Sequence, residues 1–113
     1  MWVMTTCGFF SVVAHRHDPD KVVVRARVRS DLEGLVDPRA DYEIEHTPRA
    51  DYEWRVALLR SEWSRLLAAL ADGIDYDNFK LAVAKVQGIE RASLYARIWL
   101  TLRELQTAGG LEG

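Results

Sequence analysis

Pro38-Arg-Ala-Asp-Tyr-Glu43 occurs a second time, ten residues further on, as Pro48-Arg-Ala-Asp-Tyr-Glu53. Proline followed by aspartate is typical of a turn, because proline fixes φ and the aspartate side chain accepts hydrogen bonds from nearby backbone amides. Each copy continues into alternating polar and apolar residues, over 42–46 and over 52–58. A period of two indicates a half-buried strand. The repeat therefore predicts a β-hairpin whose tip is residues 48–51.

Length and composition favour one small globular domain. The chain has 113 residues, of which 49% are hydrophobic and 28% are charged, as in ordinary globular proteins. Its net charge of −2 gives no electrostatic signal for a nucleic-acid or membrane partner. The single cysteine, Cys7, excludes an intramolecular disulfide and fits a reducing compartment. No apolar run is as long as a membrane span, and the first residues do not resemble a signal peptide, so we expect a cytoplasmic protein without a membrane partner.

The first part of the chain predicts strands separated by turns. Apolar residues at 2–4 and 9–14 flank Gly8 and form either one strand kinked at that glycine or two short strands. The polar segment 15–20 contains Asp-Pro and indicates a turn. Clean alternation over 21–29 then predicts the best-defined strand of the chain.

Capping residues and a helical period predict four helices. Ser30 is the expected N-cap of a short helix that ends near Val36. Apolar residues recur three and four positions apart over 61–73, 79–88 and 89–106. This spacing is that of amphipathic helices, each with one apolar face.

Together these elements predict an α+β fold. We expect a four-stranded, mainly antiparallel sheet in the order ββαββα, with the C-terminal helices packed on one face. Residues 1–107 would form a single α+β domain and residues 108–113 a flexible C-terminal tail, because two glycines follow the last helix. The predicted core consists of Val22, Val24, Val28, Trp54, Val56, Leu58, Trp63, Leu67, Phe79, Leu94, Ile98, Trp99 and Leu102.

An offset of 31 residues suggests, as an alternative origin of the pattern, two duplicated ββα units. Arg29-Ser30 then aligns with Arg60-Ser61. The strand faces disagree, since Val24 on the core side would align with Arg55 on the polar side. A duplication therefore needs a bulge or one inserted residue.

Arg25, Arg27 and Arg29 lie on one face of the predicted strand, about 7 Å apart. One interpretation is a basic ribbon that binds the phosphates of a nucleic acid. The other is cross-strand pairing with the glutamates of the repeat hairpin, namely Glu43, Glu45 and Glu53. We favour pairing, because the net charge is negative and no aromatic residues alternate with the arginines, as they do in many nucleic-acid sites.

The chain has three histidines, His15, His17 and His46. If the two hairpins lie side by side, His15 and His46 occupy corresponding strand ends and could meet near an aspartate, as in a metal site or a small hydrolase or transferase. No established metal-binding spacing accompanies them. We therefore favour polar turn residues at strand ends, and expect no metal ion and no cofactor.

Two loop motifs favour structural over catalytic explanations. Asp75-Tyr-Asp-Asn78 resembles the start of a calcium loop, but positions six and twelve of an EF-hand loop would be Lys80 and Val86 instead of glycine and glutamate. Helix capping by one of its aspartates is expected instead. Thr5-Thr-Cys-Gly8 could carry a nucleophilic thiol, but we expect a tight bend with a buried, inert Cys7.

Aromatic residues are abundant, with four tryptophans, four tyrosines and three phenylalanines. The apolar faces over 63–74 and 89–106 are broad enough for one helix to keep part of its face for a partner. The simplest such partner is a second copy of the chain. We therefore expect a protein partner or a homodimer through the last helix, near Tyr95, Trp99 and Leu102.

The chain opens with Met1-Trp-Val-Met-Thr-Thr-Cys-Gly-Phe-Phe-Ser-Val-Val13 and continues with His17-Asp-Pro-Asp-Lys-Val-Val-Val-Arg-Ala-Arg27 and Ile74-Asp-Tyr-Asp-Asn-Phe-Lys80. These segments resemble a family of short uncharacterised bacterial proteins, and the likeness spans most of the chain. The resemblance implies a bacterial cytosolic origin, in mobile or phage-linked genes, and carries no assigned activity. No functional residue follows from it.

Three classes of function remain, in order of preference. A small binding or regulatory module that acts through a protein–protein surface comes first, because charge is mixed and catalytic constellations are missing. A nucleic-acid-associated domain that uses Arg25, Arg27 and Arg29 is the first alternative, although nucleic acid is not the favoured partner. A small hydrolase or transferase that uses His15 and His46 is the second. The balance is against an enzyme.

Overall fold

A computed structural model describes residues 1–112, with the side chains of residues 1–107. Over this part of the chain it contains five strands and four helices. In chain order they are β1 (Trp2–Met4), β2 (Phe9–Ala14), β3 (Lys21–Ala26), α1 (Arg29–Leu35), β4 (Glu45–His46), β5 (Trp54–Leu59), α2 (Arg60–Asp72), α3 (Phe79–Gln87) and α4 (Ile89–Glu112). The predicted α+β class is confirmed.

The chain divides into two compact units, Met1–Asp75 and Tyr76–Gly113, and the single domain over residues 1–107 stays a prediction. We call them the N-terminal unit and the C-terminal unit. All five strands with α1 and α2 belong to the first unit, and α3 with α4 belong to the second. The prediction of a flexible tail at 108–113 falls outside the residues whose side chains are described.

The sheet has the strand order β1-β2-β3-β5-β4, and every neighbouring pair is antiparallel. It has five strands rather than the four predicted, because the apolar stretches before and after Gly8 form separate strands. The Thr5 hydroxyl accepts hydrogen bonds from the amides of Cys7 and Gly8, both at 3.0 Å. These bonds close a tight turn that joins β1 to β2 as a hairpin.

The hairpin predicted from the repeat is confirmed as β4 paired with β5, with Glu45 opposite Arg55 and His46 opposite Trp54. The Thr47 amide donates to the Glu53 carbonyl at 2.6 Å, which closes the tip. The first strand is shorter than the predicted 42–46 because residues 42–44 leave the ladder. Part of the β5 edge therefore has no neighbouring strand within the described chain.

One face of the sheet forms the core of the N-terminal unit. Val24 pairs with Val12 and with Val56, and all three side chains are buried. Leu32 of α1 and Trp63 of α2 pack against this face. Among the predicted core residues, Val22, Val24, Val56, Leu58 and Trp63 are buried, and Trp54 and Leu67 pack against them. Val28 is a wrong prediction, since it is 41% exposed and lies beyond the end of β3.

The first two helices begin in a similar way, and the difference between them bears on the suggested duplication. An offset of 31 residues relates the helix starts, Arg29 and Arg60, whereas an offset of 32 is needed to relate the core residues Ala26 and Leu58. The extra residue lies in the connection from β3 to α1. This connection supplies the one-residue shift that a duplication requires, and the duplication itself stays a prediction.

The C-terminal unit is a pair of helices. The Asn78 side chain accepts a hydrogen bond from the Leu81 amide at 3.1 Å and so caps α3. The two helices are separated by Gly88, whose φ of 100° favours glycine. Phe79 of α3 stacks on Tyr95 of α4 with ring centroids 5.9 Å apart. The α4 helix continues to Glu112, past the predicted end near Gln106.

Four residues of α4 were expected in the core and are not buried. Their exposed fractions are 51% for Leu94, 40% for Ile98, 53% for Trp99 and 57% for Leu102. These core predictions are wrong, because a helical period shows which residues share a face but not whether that face is covered. In the described part of the chain, none of the helices combines the length and the apolar character that crossing a membrane requires.

Candidate functional site

The three arginines predicted on one strand face lie near aromatic rings, and only Arg25 belongs to β3, since the strand ends at Ala26 and Arg29 begins α1. Arg25 and Arg27 lie over the Tyr52 ring, 4.8 Å and 4.5 Å from its centroid. Arg25 also donates to the Ser11 hydroxyl at 2.7 Å, and Arg27 to the Asp51 carbonyl at 2.8 Å. Because the Tyr52 side chain is only 6% exposed, its ring has no open face on which a base could stack.

Arg29 makes a separate set of contacts. It lies 5.2 Å from the Trp54 ring centroid and pairs with Glu33 of its own helix at 3.6 Å. Among the residues with described side chains, none of the three arginines forms an ion pair with a hairpin glutamate. The favoured prediction of cross-strand pairing with Glu43, Glu45 or Glu53 was therefore wrong. The sequence could not show this, since Tyr52, two residues before β5, is brought to the arginines only by the pairing of β5 with β3.

The predicted meeting of His15 and His46 does not occur. The His15 amide bonds to Lys21 at the start of β3, whereas His46 pairs with Trp54, which lies opposite the last residue of β3. The two histidines are thus at opposite ends of the strands, because β3 and β5 run antiparallel between them. A hydrolase or transferase site built on both histidines has no geometric support.

Each histidine has a local structural role, as expected for turn residues. Nδ1 of His15 accepts hydrogen bonds from the amides of His17 and Asp18, at 3.1 Å and 3.0 Å. The His46 ring stacks on Trp54 with centroids 4.0 Å apart, and its Nε2 is 3.9 Å from a Glu53 carboxylate oxygen. Among the described residues, no group of three histidine, cysteine or acidic side chains is placed to hold a metal ion.

The two loop motifs also have local explanations. Asn78, rather than one of the preceding aspartates, caps α3. Cys7 is a free and exposed thiol, so the prediction that it is buried was wrong. Gly8, not Cys7, is the buried residue of this turn, and a Cβ at that position would lie 2.9 Å from atoms of Asp31 and Phe10.

A tyrosine–glutamate pair joins the segment before β4 to α2. The Tyr42 hydroxyl donates a short hydrogen bond to Glu62 Oε2, and Glu62 Oε1 accepts from the Leu59 amide at 2.9 Å. The bond from Tyr42 is the main cause that lowers the pKa of Glu62, and the same bond raises the pKa of Tyr42. Sequence reasoning missed this pair, although a glutamate at the third position of a helix is a known capping signal.

The proposed interface residues of α4 have different environments. Tyr95 is 6% exposed, because it packs on Phe79 and its hydroxyl accepts a hydrogen bond from Arg91 at 3.1 Å. It therefore belongs to the interior of the C-terminal unit and is not available to a partner. Trp99 is half exposed, with the Lys80 ammonium 4.2 Å from its ring centroid. Leu102 is exposed.

Leu102 belongs to a row of exposed apolar residues that we call the α4 stripe. Its members are Leu94, Ile98, Leu102 and Leu105, with exposed fractions of 51%, 40%, 57% and 74%. At about 100° per residue they fall within about 80° of one another around the helix. This width is that of the face an amphipathic helix normally buries. Here the face is left open.

Half of α4 extends past the helix that covers its beginning. The 24 residues of α4 span about 36 Å, whereas the 9 residues of α3 span about 14 Å. Lys80, in the first turn of α3, meets α4 at Trp99. Residues 100–107 therefore lie beyond the start of α3. A helical segment of so few residues is only marginally stable in water when it packs against nothing.

A shallow depression of about 230 Å³ lies on this extending half. It is lined by Trp99, Leu102, Arg103 and Gln106. Tryptophan and arginine are residue types that often carry the binding energy of protein interfaces. Comparison with family models, curated proteins and solved structures found no match for this chain, and the resemblance to short bacterial proteins stays a prediction.

Proposed function

We propose that this protein is a small binding module that acts through the α4 stripe, and that its first partner is a second copy of the same chain. The observation that carries the proposal is the open apolar face of Leu94, Ile98, Leu102 and Leu105 on a helix that extends past its neighbour. Exposed leucines in a row are unfavourable in free energy. Full burial of such a side chain stabilises by about 1.5–3 kcal/mol relative to full exposure, and the four residues of the stripe are still 40–74% exposed.

The spacing of the stripe favours a helix as its occupant. Ile98, Leu102 and Leu105 are separated by four and three residues, which is the alternation that packs one helix against another. A second α4 presents the same row. Two chains related by a two-fold axis would bury both rows at once in an isologous interface, and two α3–α4 pairs together have the helices of a four-helix bundle.

Two leucines of α4 provide a matched test. Leu102 and Leu100 are 57% and 58% exposed, but at about 100° per residue they point about 160° apart. In Leu102→Glu, a charge would be buried in the interface, and we expect the dimer dissociation constant to rise by at least about 100-fold. Leu100→Glu adds the same charge outside the stripe and should change the dimer dissociation constant by less than about threefold.

Sedimentation equilibrium across a concentration series measures both variants against the unaltered chain. A dimer that is weakened only by Leu102→Glu supports the proposal. A chain that stays monomeric throughout the series refutes self-association, and equal weakening by both variants refutes the stripe as the interface. Circular dichroism of each variant verifies that the helices are retained.

The proposal keeps the cytoplasmic location expected from the single cysteine and assigns no catalytic role. Nucleic-acid binding through Arg25, Arg27 and Arg29 is the alternative, and the contacts of these side chains with Tyr52 and Trp54 disfavour it. Binding of an oligonucleotide that weakens steeply with salt and is lost when all three arginines become glutamine would reverse this order.

A further inference from the structure

A cleft of about 350 Å³ lies on the sheet face opposite the core of the N-terminal unit. Its floor is formed by Val23 of β3 and Ala57 of β5, which are paired in the ladder. Both side chains are shorter than the charged side chains around them, and this leaves room above them. The volume is that of a site for a small molecule.

The two walls of the cleft carry opposite charge. One wall is the turn after β2, with His15, Arg16 and His17. The other wall comes from the segment that leads into β4, with Asp41, Glu43 and Glu45. The separation follows from the strand order, because β3 and β5 lie between β2 and β4. A ligand that bridges the floor therefore meets acidic groups at one end and basic groups at the other.

Among the arginines and acidic residues that line the cleft, Arg55 is the one that is partly buried rather than exposed. It makes no hydrogen bond or ion pair with any residue whose side chain the structure describes, and its Nε is buried without a partner. The terminal nitrogens of the Arg55 guanidinium are not buried in this way and remain accessible to a ligand. On the adjacent strand Arg25 lies directly opposite Arg55, and like charges in that position repel.

Glu45 lies directly opposite Arg55 on the other neighbouring strand. Strands are about 4.8 Å apart, yet no ion pair joins the two residues within the described chain. An anionic group bound to Arg55 would therefore lie next to Glu45, whose exposed carboxylate can accept from a cationic group. An α-amino acid carries both groups on one carbon atom, with a planar carboxylate that fits a guanidinium fork.

We propose that this cleft binds a free α-amino acid, with its carboxylate on Arg55, its ammonium group against Glu43 and Glu45, and its side chain over Val23 and Ala57. Free phosphate is a poorer fit, because three carboxylates on the acidic wall repel a dianion. A simple amine lacks the anion that Arg55 requires. The proposal is independent of the α4 stripe.

Calorimetric titration of the 113-residue chain with each of the proteinogenic amino acids tests whether the cleft binds one of them. Ligand concentrations up to about 10 mM make millimolar binding measurable. We expect at least one to bind. Removing either its amino or its carboxylate group, as in 4-methylpentanoate and 3-methylbutylamine for leucine, should weaken binding by about 10-fold or more.

Variants assign the binding to the cleft. Arg55→Gln and Glu45→Gln should each weaken binding by about 10- to 100-fold, because each removes a charge-assisted hydrogen bond. Arg39→Gln is the matched control, since the Arg39 side chain is 90% exposed and lies outside the cleft. Without ligand, Arg55→Gln should change the melting temperature little, because within the described chain Arg55 makes no hydrogen bond or ion pair that the substitution would remove.

Three results overturn the proposal. The first is that none of the amino acids binds at about 10 mM. The second is that the carboxylate analogue or inorganic phosphate binds as tightly as the amino acid, which would make the cleft a simple anion site. The third is binding that survives Arg55→Gln in a variant that is correctly folded by circular dichroism.

Discussion

The N-terminal unit buries the large apolar residues of its sheet core, although Trp2 and Ile74 are exposed, whereas the C-terminal unit leaves most of its own exposed. In the first, Phe10, Val24, Leu32, Val56 and Leu58 are at most 1% exposed. In the second, among residues 76–107, Val83 and Tyr95 are buried, while α4 alone exposes leucine, isoleucine and tryptophan side chains on several turns. A sheet with two helices can close its own core, but two helices of unequal length cannot. This open face of the second unit is the surface to which the proposed function assigns a partner.

The largest expected difference comes from one tryptophan in each unit. Trp63 is 6% exposed and Trp99 is 53% exposed. Trp63→Ala should lower the free energy of unfolding by about 3–5 kcal/mol, because it opens a cavity in the core. Trp99→Ala should cost less than about 1 kcal/mol at concentrations where the chain is monomeric, since it removes mainly the contact with Lys80.

Chemical denaturation followed by circular dichroism measures both tryptophan variants. Equal losses of stability would contradict the comparison, because they would place both side chains in cores of similar packing. A loss of stability in Trp99→Ala that appears only at high protein concentration would support the comparison further, since it would come from weakening of the dimer.

The sequence predicts the local structure well and the environment of α4 poorly, for a physical reason. Alternation over 21–29 and the repeat at 38–53 depend on neighbours along the chain, and the structure confirms the hairpin and a strand over 21–26, which is three residues shorter than predicted. The row of Leu94, Ile98 and Leu102 has the same helical period as a core face. Whether a second element covers it depends on which face of α4 packs on α3, and α3 contacts Tyr95 and Trp99 instead, which periodicity does not encode.

The arginines and Arg55 show a second limit of sequence reasoning. Tyr52 covers Arg25 and Arg27 through tertiary contacts, so their aromatic partner is far away in the sequence. Arg55 has the ordinary pattern of an outward-facing strand residue, and only the strand register places it between Arg25 and Glu45. The cleft therefore could not be predicted from residue types and spacing.

Two glycines test how closely the N-terminal unit is packed. A Cβ on Gly8 would come within 2.9 Å of Asp31 and Phe10, whereas a Cβ on Gly34 would meet no atom within 4 Å. Gly8→Ala should therefore destabilise the unit by about 1–3 kcal/mol. Gly34→Ala, in α1, should stabilise it by about 0.5–1 kcal/mol. Thermal denaturation measures both variants. Melting temperatures that change in the same direction would contradict this description of the packing.

The smallest effect concerns the pair of Tyr42 and Glu62. The pKa of Glu62 is lowered in the folded state by the bond from Tyr42, so the stabilisation is present above the ordinary glutamate pKa of about 4.3 and is lost as the pH falls through the lower folded value. The pKa of Tyr42 is raised, so its contribution is present below about pH 10 and is lost above it. Tyr42→Phe should flatten both limbs of the stability profile.

Unfolding by urea at a series of pH values measures this profile for Tyr42→Phe. At neutral pH the variant should lose about 0.5–1.5 kcal/mol, the usual contribution of one hydrogen bond. Acid and alkaline limbs as steep as those of the unaltered chain would show that the pair does not link stability to pH.

Hydrogen exchange along α4 at two protein concentrations tests most directly whether the stripe is covered by a second copy. The amides of residues 100–107 lie beyond the start of α3, so they should exchange slowly at a concentration that favours the dimer and rapidly after dilution. Amides of β3 and β5 should not respond to dilution, and Leu102→Glu should show the diluted pattern at both concentrations. Slow exchange over residues 100–107 that is the same at both concentrations would contradict the proposed self-association.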